Sequence, residues 1–221
     1  MDNEEENEEE NEEVDNGAAE AVEEALLRQH AEEDDKLRTI GLFGEVNSAK
    51  AEEIIYGLLT LDATKSKKKP VDYLDLAKGL IEEAEPVELI VSTEGGDATD
   101  MFAIYDTVRH LRNDLVIQTF GLGKVMSAGV LLLACGTKGK RKIGKYCRVM
   151  LHGVASASAG NISNLKTEMA EIKKMQEMYI DALASETNLT KAQLKRMMNK
   201  NVNVYLSAEE AVEYGIADII V

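Results

Sequence analysis

Ser127 is the residue of this sequence whose type and setting best suit nucleophilic chemistry. It lies between a segment that contains Gly121 and Gly123 and a continuous apolar run from Val130 to Ala134. Such a run predicts a buried helix, and the glycines allow backbone angles and close approaches that side chains prevent. We expect Ser127 at the start of that helix, in a cleft, where unpaired backbone N–H groups can receive an oxyanion. The alternative interpretation is that Ser127 only caps the helix, as serine often does.

Two other segments supply the remaining groups that amide hydrolysis requires. Arg148 to His152 has the pattern of an apolar strand that ends in a histidine, and Leu89 to Gly96 has that of one ending in a glycine pair. A hydroxyl nucleophile needs a base that takes its proton, and it needs donors aimed at the oxyanion. Ser127 and His152 fit the roles of nucleophile and base. A terminal histidine or a Gly-Gly turn is common by itself, so their joint occurrence is what indicates a site.

The elements around these segments predict an α/β fold with a parallel sheet. Apolar strand patterns alternate with helical patterns, which implies parallel strands joined by helical crossovers, with ligands at the carboxyl ends of the strands. Strands are expected at 37–43, 87–92, 115–120, 142–144, 147–151, 202–206 and 216–221. Helices are expected after a cap at Asn47 or Ser48, at 99–111, 130–134, 162–185 and 190–199, and after a capping box that starts at Ser207.

The charge of this 221-residue chain is concentrated at its amino end. Residues 1–16 hold ten carboxylates and no lysine or arginine, so removing them from the formal charge of −16 leaves −6 for the rest. Residues 1–36 are expected to be an acidic segment, mostly disordered because it cannot bury enough apolar surface, with a helix at 18–27 that forms against a partner. Residues 37–221 are expected to form one domain. The acidity argues against nucleic-acid binding, which needs clustered Lys and Arg, and we interpret the basic run 65–69 as a solvated loop.

Composition also bears on compartment and cofactors. Cys135 and Cys147 lie in predicted apolar elements without metal-ligand spacing, so we expect buried free thiols, no metal and no cofactor. The amino end lacks the basic and apolar residues of a signal peptide, and no apolar run is long enough to span a membrane. A cytoplasmic protein without a membrane partner is the expectation. The sequence has no phosphate-binding Gly-x-x-x-x-Gly-Lys-Ser/Thr loop, so any ATP use would be a partner's.

The segments above, together with several others, resemble the proteolytic subunits of Clp proteases, a family of serine peptidases. The resemblance extends from about Arg38 to Val221 and rests on Gly95-Gly96, 103–107, 126–129, 136–141, Leu151-His152, Gly160 and 206–218. It implies the Clp and crotonase type of α/β fold, built from repeated strand and helix units. It also implies a catalytic Ser127 and His152, whose separation of 25 residues matches the family, and oxyanion donors at the backbone N–H groups of Gly96 and Ala128.

The resemblance further implies an assembly. Clp proteolytic subunits form a closed homo-oligomeric chamber, a tetradecamer of two rings that stack through a long handle helix, here 162–185. An ATP-dependent AAA+ unfoldase feeds the chamber with unfolded proteins and peptides. The acidic amino-terminal segment would then line the entrance of the chamber, although a solubilising tail is an equally good interpretation.

The sequence departs from the family at three places. Asn203 occupies the position where the family usually has the aspartate of the triad, so the expected triad is Ser127, His152 and Asn203, with Asn201 a weaker candidate. An asparagine can hold the useful tautomer of the histidine but supplies no charge. Gly153-Val154 replaces the usual Gln-Pro after the histidine. An insertion at about 62–86 contains a short predicted amphipathic helix that opens at Asp72-x-x-Asp75.

Three other functions share parts of this pattern. Some capsid-maturation proteases of viruses resemble the Clp fold, and an acidic tail with an insertion would suit such a specialised partner. A non-catalytic ring subunit of a mixed complex would be consistent with Asn203, whereas Ser127 and His152 argue against it. An acyl-CoA enzyme of the crotonase type would share the glycine-rich turns but does not need the serine and histidine pair.

Overall fold

The computed structural model describes residues 37–70, 80–157, 159–198 and 202–221, without the side chains of 66–70 and 80–83. Arg38–Val221 form one unit, to which all the elements below belong. The acidic segment 1–36, with the disorder and the helix predicted there, lies outside the described residues, as do Asn201 and the predicted helix start at Asp72 and Asp75.

The strand and helix order confirms the predicted α/β fold. The strands are β1 Thr39–Val46, β2 Ser66–Pro70, β3 Leu80–Ala84, β4 Val87–Gly96, β5 Ile117–Met126, β6 Arg141–Ile143, β7 Arg148–Leu151, β8 Val204–Leu206 and β9 Ile219–Ile220. The helices are α1 Ser48–Ala63, α2 Ala98–Leu111, α3 Ala128–Ala134, α4 Ile162–Glu186, α5 Lys191–Met198 and α6 Ala208–Glu213.

Seven of these strands form one sheet, in which β5 has a special place. The order is β1-β4-β5-β6-β9, and β7 pairs with both β5 and β8. All pairs are parallel except β7 with β8. The first half of β5 pairs with β6 and its second half, Lys124 to Met126, pairs with β7. Along most of β4 and β5, buried positions alternate with more exposed ones, which is the period of a strand with one face turned to the core.

Side-chain caps fix where the helices begin. The Asn47 side chain accepts a hydrogen bond from the Lys50 amide, and the Asp97 side chain accepts from the amides of Thr99 and Asp100. Ser207 forms the predicted capping box before α6. Each cap satisfies amides that have no acceptor within the helix.

Helix α3 lies at the centre of the core, as predicted for the apolar run. All seven of its residues are buried. Gly121 of β5 is where this helix packs, since a Cβ there would stand 3.0 Å from Cδ2 of Leu133. Gly121 therefore serves helix packing within a continuous strand, whereas the sequence pattern predicted that the strand ended near Phe120. Cys135 and Cys147 are buried free thiols, as expected.

The long predicted helix is present as α4, 25 residues long. Its amino-terminal half is largely exposed, with Ile162 74% and Met169 60% accessible. Its last third is anchored in the core by Tyr179, Leu183 and neighbours. Among the described residues, none of the helices is both long and apolar enough to cross a membrane.

The segment around residues 66–84 differs from its prediction. We expected a solvated loop at 65–69 and a helix that included Leu80 and Ile81, but β2 and β3 form an antiparallel two-stranded sheet there. Its register aligns Lys67 with Glu83 and Lys68 with Glu82. Residue types of opposite charge across from each other favour strand pairing, which explains the difference.

Candidate active site

Ser127 stands at the junction of β5 and α3 in an unusual backbone conformation. Its φ of 54° and ψ of −119° make it the one non-glycine residue with positive φ in the described part of the chain. Such a conformation costs on the order of 1–3 kcal/mol and persists only when the surroundings hold it. The Ser127 amide donates to the Met150 carbonyl at 2.8 Å, and the Ser127 carbonyl accepts from the Tyr179 hydroxyl at 2.7 Å and the Val130 amide at 3.0 Å. The side chain makes no capping hydrogen bond, which argues against a simple cap.

His152 leaves the strand beside that of Ser127, at the same end of the sheet. The parallel pairing of β5 with β7 ends at Met126 opposite Met150, so Ser127 and His152 both follow this last described pair. Both side chains line one cavity of about 490 Å³, and His152 is half-buried. The structure thus brings the predicted nucleophile and base to one site.

The predicted oxyanion donors belong to the same cavity. Gly96 and Ala128 line it together with Ser127 and His152. Ala128 is the first residue of α3, and amides of the first helical turn have no acceptor within the helix. Gly96 has a φ of 155°, and a Cβ there would stand 2.0 Å from the Val46 carbonyl oxygen, so the backbone has no room for a side chain.

Thr93 fixes the glycine pair and was missed by sequence reasoning. Its hydroxyl donates to the Gly44 carbonyl and accepts from the Gly95 amide at 2.9 Å, and the residue is fully buried. It also meets the start of α3, because a Cβ on Gly129 would lie 2.5 Å from Cγ2 of Thr93. The signal that could have indicated it is a threonine two residues before Gly-Gly, in register with the apolar residues Leu89 and Val91 of the strand.

Asn203 lies on the other side of His152 from Ser127. Strands β7 and β8 are antiparallel with Leu151 opposite Val204, so the next residues along this register are His152 and Asn203. Both line a second cavity of about 700 Å³, which also touches Leu165 and Met169 of α4. Asn203 is exposed, and its Nδ2 donates weakly to the Tyr205 hydroxyl at 3.5 Å. In the described residues, no hydrogen bond joins the side chains of Ser127, His152 and Asn203.

The segment after His152 forms a wall shared by the two cavities. Gly153 and Val154 line both of them, as does Ile172 of α4. The Val154 amide donates to Oε1 of Gln176 at 2.6 Å. This is the place where the sequence departs from the usual Gln-Pro of the family.

Carboxylates surround the mouth of the Ser127 cavity. Glu94 pairs with Lys124 at 2.7 Å, and this hydrogen bond with the ammonium group lowers the pKa of Glu94. Hydrogen bonds from the Thr99 hydroxyl and from the amides of Asp100 and Thr99 lower the pKa of Asp97. Both groups are therefore ionised at neutral pH, and the charge of Glu94 is offset by Lys124. In the part of the chain that the structure describes, no cluster of three or more His, Cys, Asp or Glu could hold a metal ion.

Known proteins are similar in sequence to this chain over most of its length. The Clp protease family model matches residues 73–221. An ATP-dependent Clp protease proteolytic subunit of Borrelia garinii subsp. bavariensis is 30% identical over 183 residues, 83% of this chain and 84% of the relative. ATP-dependent Clp protease proteolytic subunit 1 of Corynebacterium glutamicum is 38% identical over 133 residues, 60% of this chain and 62% of the relative.

The fold and these matches define the class of protein, which is an α/β enzyme of the serine peptidase type. The chain belongs to the Clp protease family. The fold-class prediction and the resemblance found in the sequence are therefore confirmed.

Proposed function

We propose that this chain is the proteolytic subunit of a self-compartmentalised, ATP-dependent Clp-type protease, with Ser127 as nucleophile and His152 as base. The observation that carries the proposal is that Ser127 holds a strained backbone conformation in the same cavity as His152, Gly96 and Ala128. Strained backbone of this kind clusters at active sites, where the surrounding structure holds it.

The proposed reaction assigns each group one role. The Ser127 oxygen attacks the peptide carbonyl carbon while its proton passes to His152, and the amides of Gly96 and Ala128 hold the resulting oxyanion. His152 then gives the proton to the leaving amine as the C–N bond breaks. Water, deprotonated by His152, hydrolyses the ester and restores the Ser127 hydroxyl.

Asn203 is proposed as the third member of the triad. Its support is the strand register, which continues from Leu151 and Val204 to His152 and Asn203. Its side-chain oxygen can accept a hydrogen bond from the imidazole and select the useful tautomer, but an amide cannot stabilise the imidazolium by charge. Hydrogen bonds in a free active site are often long and tighten in the substrate complex. We therefore propose a slow peptidase, whose triad closes in the assembled, substrate-bound state.

Assembly into stacked rings of identical subunits and feeding by an AAA+ unfoldase complete the proposal. The relatives are named as proteolytic subunits of an ATP-dependent protease. Helix α4 exposes the large apolar side chains of Ile162, Met169 and Met178, which suits contact with another subunit. The buried free thiols of Cys135 and Cys147 suit a reducing compartment such as the cytoplasm.

We also propose a division of the chain into a peptidase domain and an amino-terminal segment. Residues 37–221 are the peptidase domain, residues 1–36 are an acidic entrance segment, and the insertion at 62–86 contributes the separate two-stranded β2–β3 sheet. A peptidase with the first 36 residues deleted should keep its activity on short peptides. Its dependence on an unfoldase for protein substrates is what the deletion should change.

The direct test is labelling of the intact chain with an active-site-directed fluorophosphonate, followed by mapping of the modified peptide. We expect modification at Ser127 and its loss in Ser127→Ala. In His152→Ala we expect labelling at least 100-fold slower, since a general base contributes about 10² to 10⁴. Modification at another serine would refute Ser127 as the nucleophile. No modification in an assembled ring would leave the non-catalytic ring subunit as the better assignment, which the amide at Asn203 favours.

A further inference from the structure

One turn of α4 makes hydrogen bonds both to the backbone of Ser127 and to the segment that follows His152. Tyr179 donates its hydroxyl hydrogen to the Ser127 carbonyl at 2.7 Å, and Gln176 accepts from the Val154 amide at 2.6 Å through Oε1. Residues three apart on a helix lie on the same face, one above the other. The backbone of the nucleophile and the segment that follows His152 are therefore tied to adjacent points on one rigid element.

The Tyr179 contact acts on the strained residue itself. Tyr179 is 4% exposed, and burial raises the pKa of its hydroxyl far above the usual range, so it remains a neutral donor. It reaches Ser127 across 52 residues of sequence. Without this donor the Ser127 carbonyl would keep only the Val130 amide, and the peptide unit between Ser127 and Ala128 would be freer to rotate. That peptide unit contains the Ala128 amide, one proposed oxyanion donor, and adjoins the Cα that bears the nucleophile's side chain.

The Gln176 contact acts on the base. Strand β7 ends at Leu151, and the described residues 152–157 lie outside regular secondary structure. Beyond its hydrogen bond to Val154, Gln176 also approaches Met198 Sδ through Nε2 at 3.5 Å. A Cβ on Gly153 would stand 3.2 Å from the Met198 carbonyl oxygen, so the chain passes closely between α4 and α5 at this point. The side-chain amide of Gln176 thus fixes the backbone two residues after His152.

We propose that Gln176 and Tyr179 are positioning residues that set the separation of Ser127 and His152 through α4. This inference rests on the proposed peptidase function and concerns the same site. We assign neither residue a part in bond making, because the hydrogen bond of each to the site segments goes to a backbone atom. Their effect is therefore on turnover through geometry, with little effect on substrate affinity.

The test compares conservative variants of the full-length chain. Tyr179→Phe removes only the hydroxyl. Gln176→Met removes the acceptor, whereas Gln176→Glu keeps an oxygen acceptor for the Val154 amide. Tyr105→Phe is the matched control, since Tyr105 is also 4% exposed and its hydroxyl is bonded, here to Glu186 at 3.1 Å, but it does not line the Ser127 cavity.

The readouts are kcat and KM on a short fluorogenic peptide, the rate of fluorophosphonate labelling at Ser127, and the melting temperature. We expect Tyr179→Phe and Gln176→Met to lower kcat and the labelling rate about tenfold or more, with KM within about twofold. Gln176→Glu should recover most of the loss, and Tyr105→Phe should leave kcat within about twofold at a similar loss of melting temperature. If Tyr179→Phe lowers the melting temperature more than Tyr105→Phe does, the inference is judged on the comparison of Gln176→Met with Gln176→Glu.

Two results would overturn the inference in distinguishable ways. A native chain that labels at Ser127 while all four variants label at the native rate refutes the positioning role and leaves the peptidase function intact. A native, assembled chain that does not label at all refutes the peptidase function, and the positioning role with it.

Discussion

Gly95 lies directly against Ser127 in the proposed active site. A Cβ built on Gly95 would stand 2.6 Å from the Cβ of Ser127 and 3.1 Å from its Oγ. Since real Cβ atoms do not approach other atoms this closely, the nucleophile occupies the space that a side chain would fill. Gly95 also has a φ of 99°, in the region that favours glycine.

Replacing Gly95 by alanine should therefore displace Ser127. We expect Gly95→Ala to reduce fluorophosphonate labelling and peptide cleavage at least 100-fold. Gly139→Ala is the control, because Gly139 has a similar φ of 82° but open space around its Cβ position. Backbone strain alone costs about 1–2 kcal/mol, so the control should lose stability and keep its activity. Equal activity losses in the two variants would show that strain, and not the approach to Ser127, matters.

Restoring a carboxylate at Asn203 should accelerate turnover. Replacement of the aspartate by asparagine in a Ser-His-Asp triad costs about 10⁴ in kcat, largely through the wrong tautomer, and Asn203 can already select the tautomer. We therefore expect Asn203→Asp to raise kcat about 10- to 100-fold, measured on a short peptide. Asn161→Asp is the control: it introduces the same charge at the exposed cap of α4. Equal rates for the native chain and Asn203→Asp would place residue 203 outside the site.

The ion pair of Arg112 and Glu186 should be important for stability. Glu186 is 2% exposed and accepts two hydrogen bonds from the guanidinium, at 2.8 and 2.9 Å. Removal of one partner leaves a buried charge unpaired, so Arg112→Met should lower the free energy of unfolding by about 3 kcal/mol. Glu177→Gln, which breaks the exposed pair with Lys195, should cost less than about 1 kcal/mol. Denaturant titration of both variants measures the difference, and similar losses would contradict the assignment of a desolvated pair.

Asp218 should make stability depend on pH in the acid range. Burial by itself would raise its pKa, but hydrogen bonds from the Arg141 side chain and from the amides of Arg141 and Gly139 bring the pKa of Asp218 below its usual value. A carboxyl with a lowered folded-state pKa stabilises fully above its unfolded pKa, near 4, and loses this as pH falls through the folded value. Asp218→Asn should therefore be less stable at pH 7, by about 2 kcal/mol.

The difference in unfolding free energy between Asp218→Asn and the native chain should begin to shrink below about pH 4, where the carboxyl of the unfolded chain takes up a proton, and its charge-dependent part should be lost as pH falls through the lower folded-state pKa. Asp181→Asn, which removes an exposed pair with Lys191, is the control and should follow the native pH profile closely. A constant difference between pH 7 and pH 2 would mean that the charge of Asp218 is not what stabilises the fold.

Local signals accounted for the elements that sequence analysis predicted well. The apolar run of α3, the helix start at Asn47 and the capping box at Ser207 are each encoded within a few neighbouring residues. The placement of Ser127 and His152 at one cavity followed from a topological rule, because parallel strands end at the same edge. The sequence thus predicted most of the fold and the candidate nucleophile and base.

The features that sequence analysis missed depend on contacts between segments that lie far apart in the sequence. Thr93 bonds to Gly44 and Tyr179 to Ser127, across 49 and 52 residues. Periodicity marks Tyr179 as a core position but does not say which carbonyl its hydroxyl reaches. The β2–β3 hairpin was missed because its lysine-rich and glutamate-rich strands lack the apolar alternation from which a strand is predicted.

The dual pairing of β5 decides where this chain can tolerate changes of length. Its neighbours are β4 on one side and, in succession, β6 and β7 on the other, so deleting one residue from it would shift three ladders and turn alternate side chains to the wrong face. Natural or engineered length variants should therefore accumulate outside β5 and its partners, for example in β2 and β3, which form a separate sheet and share no ladder with the seven-stranded one.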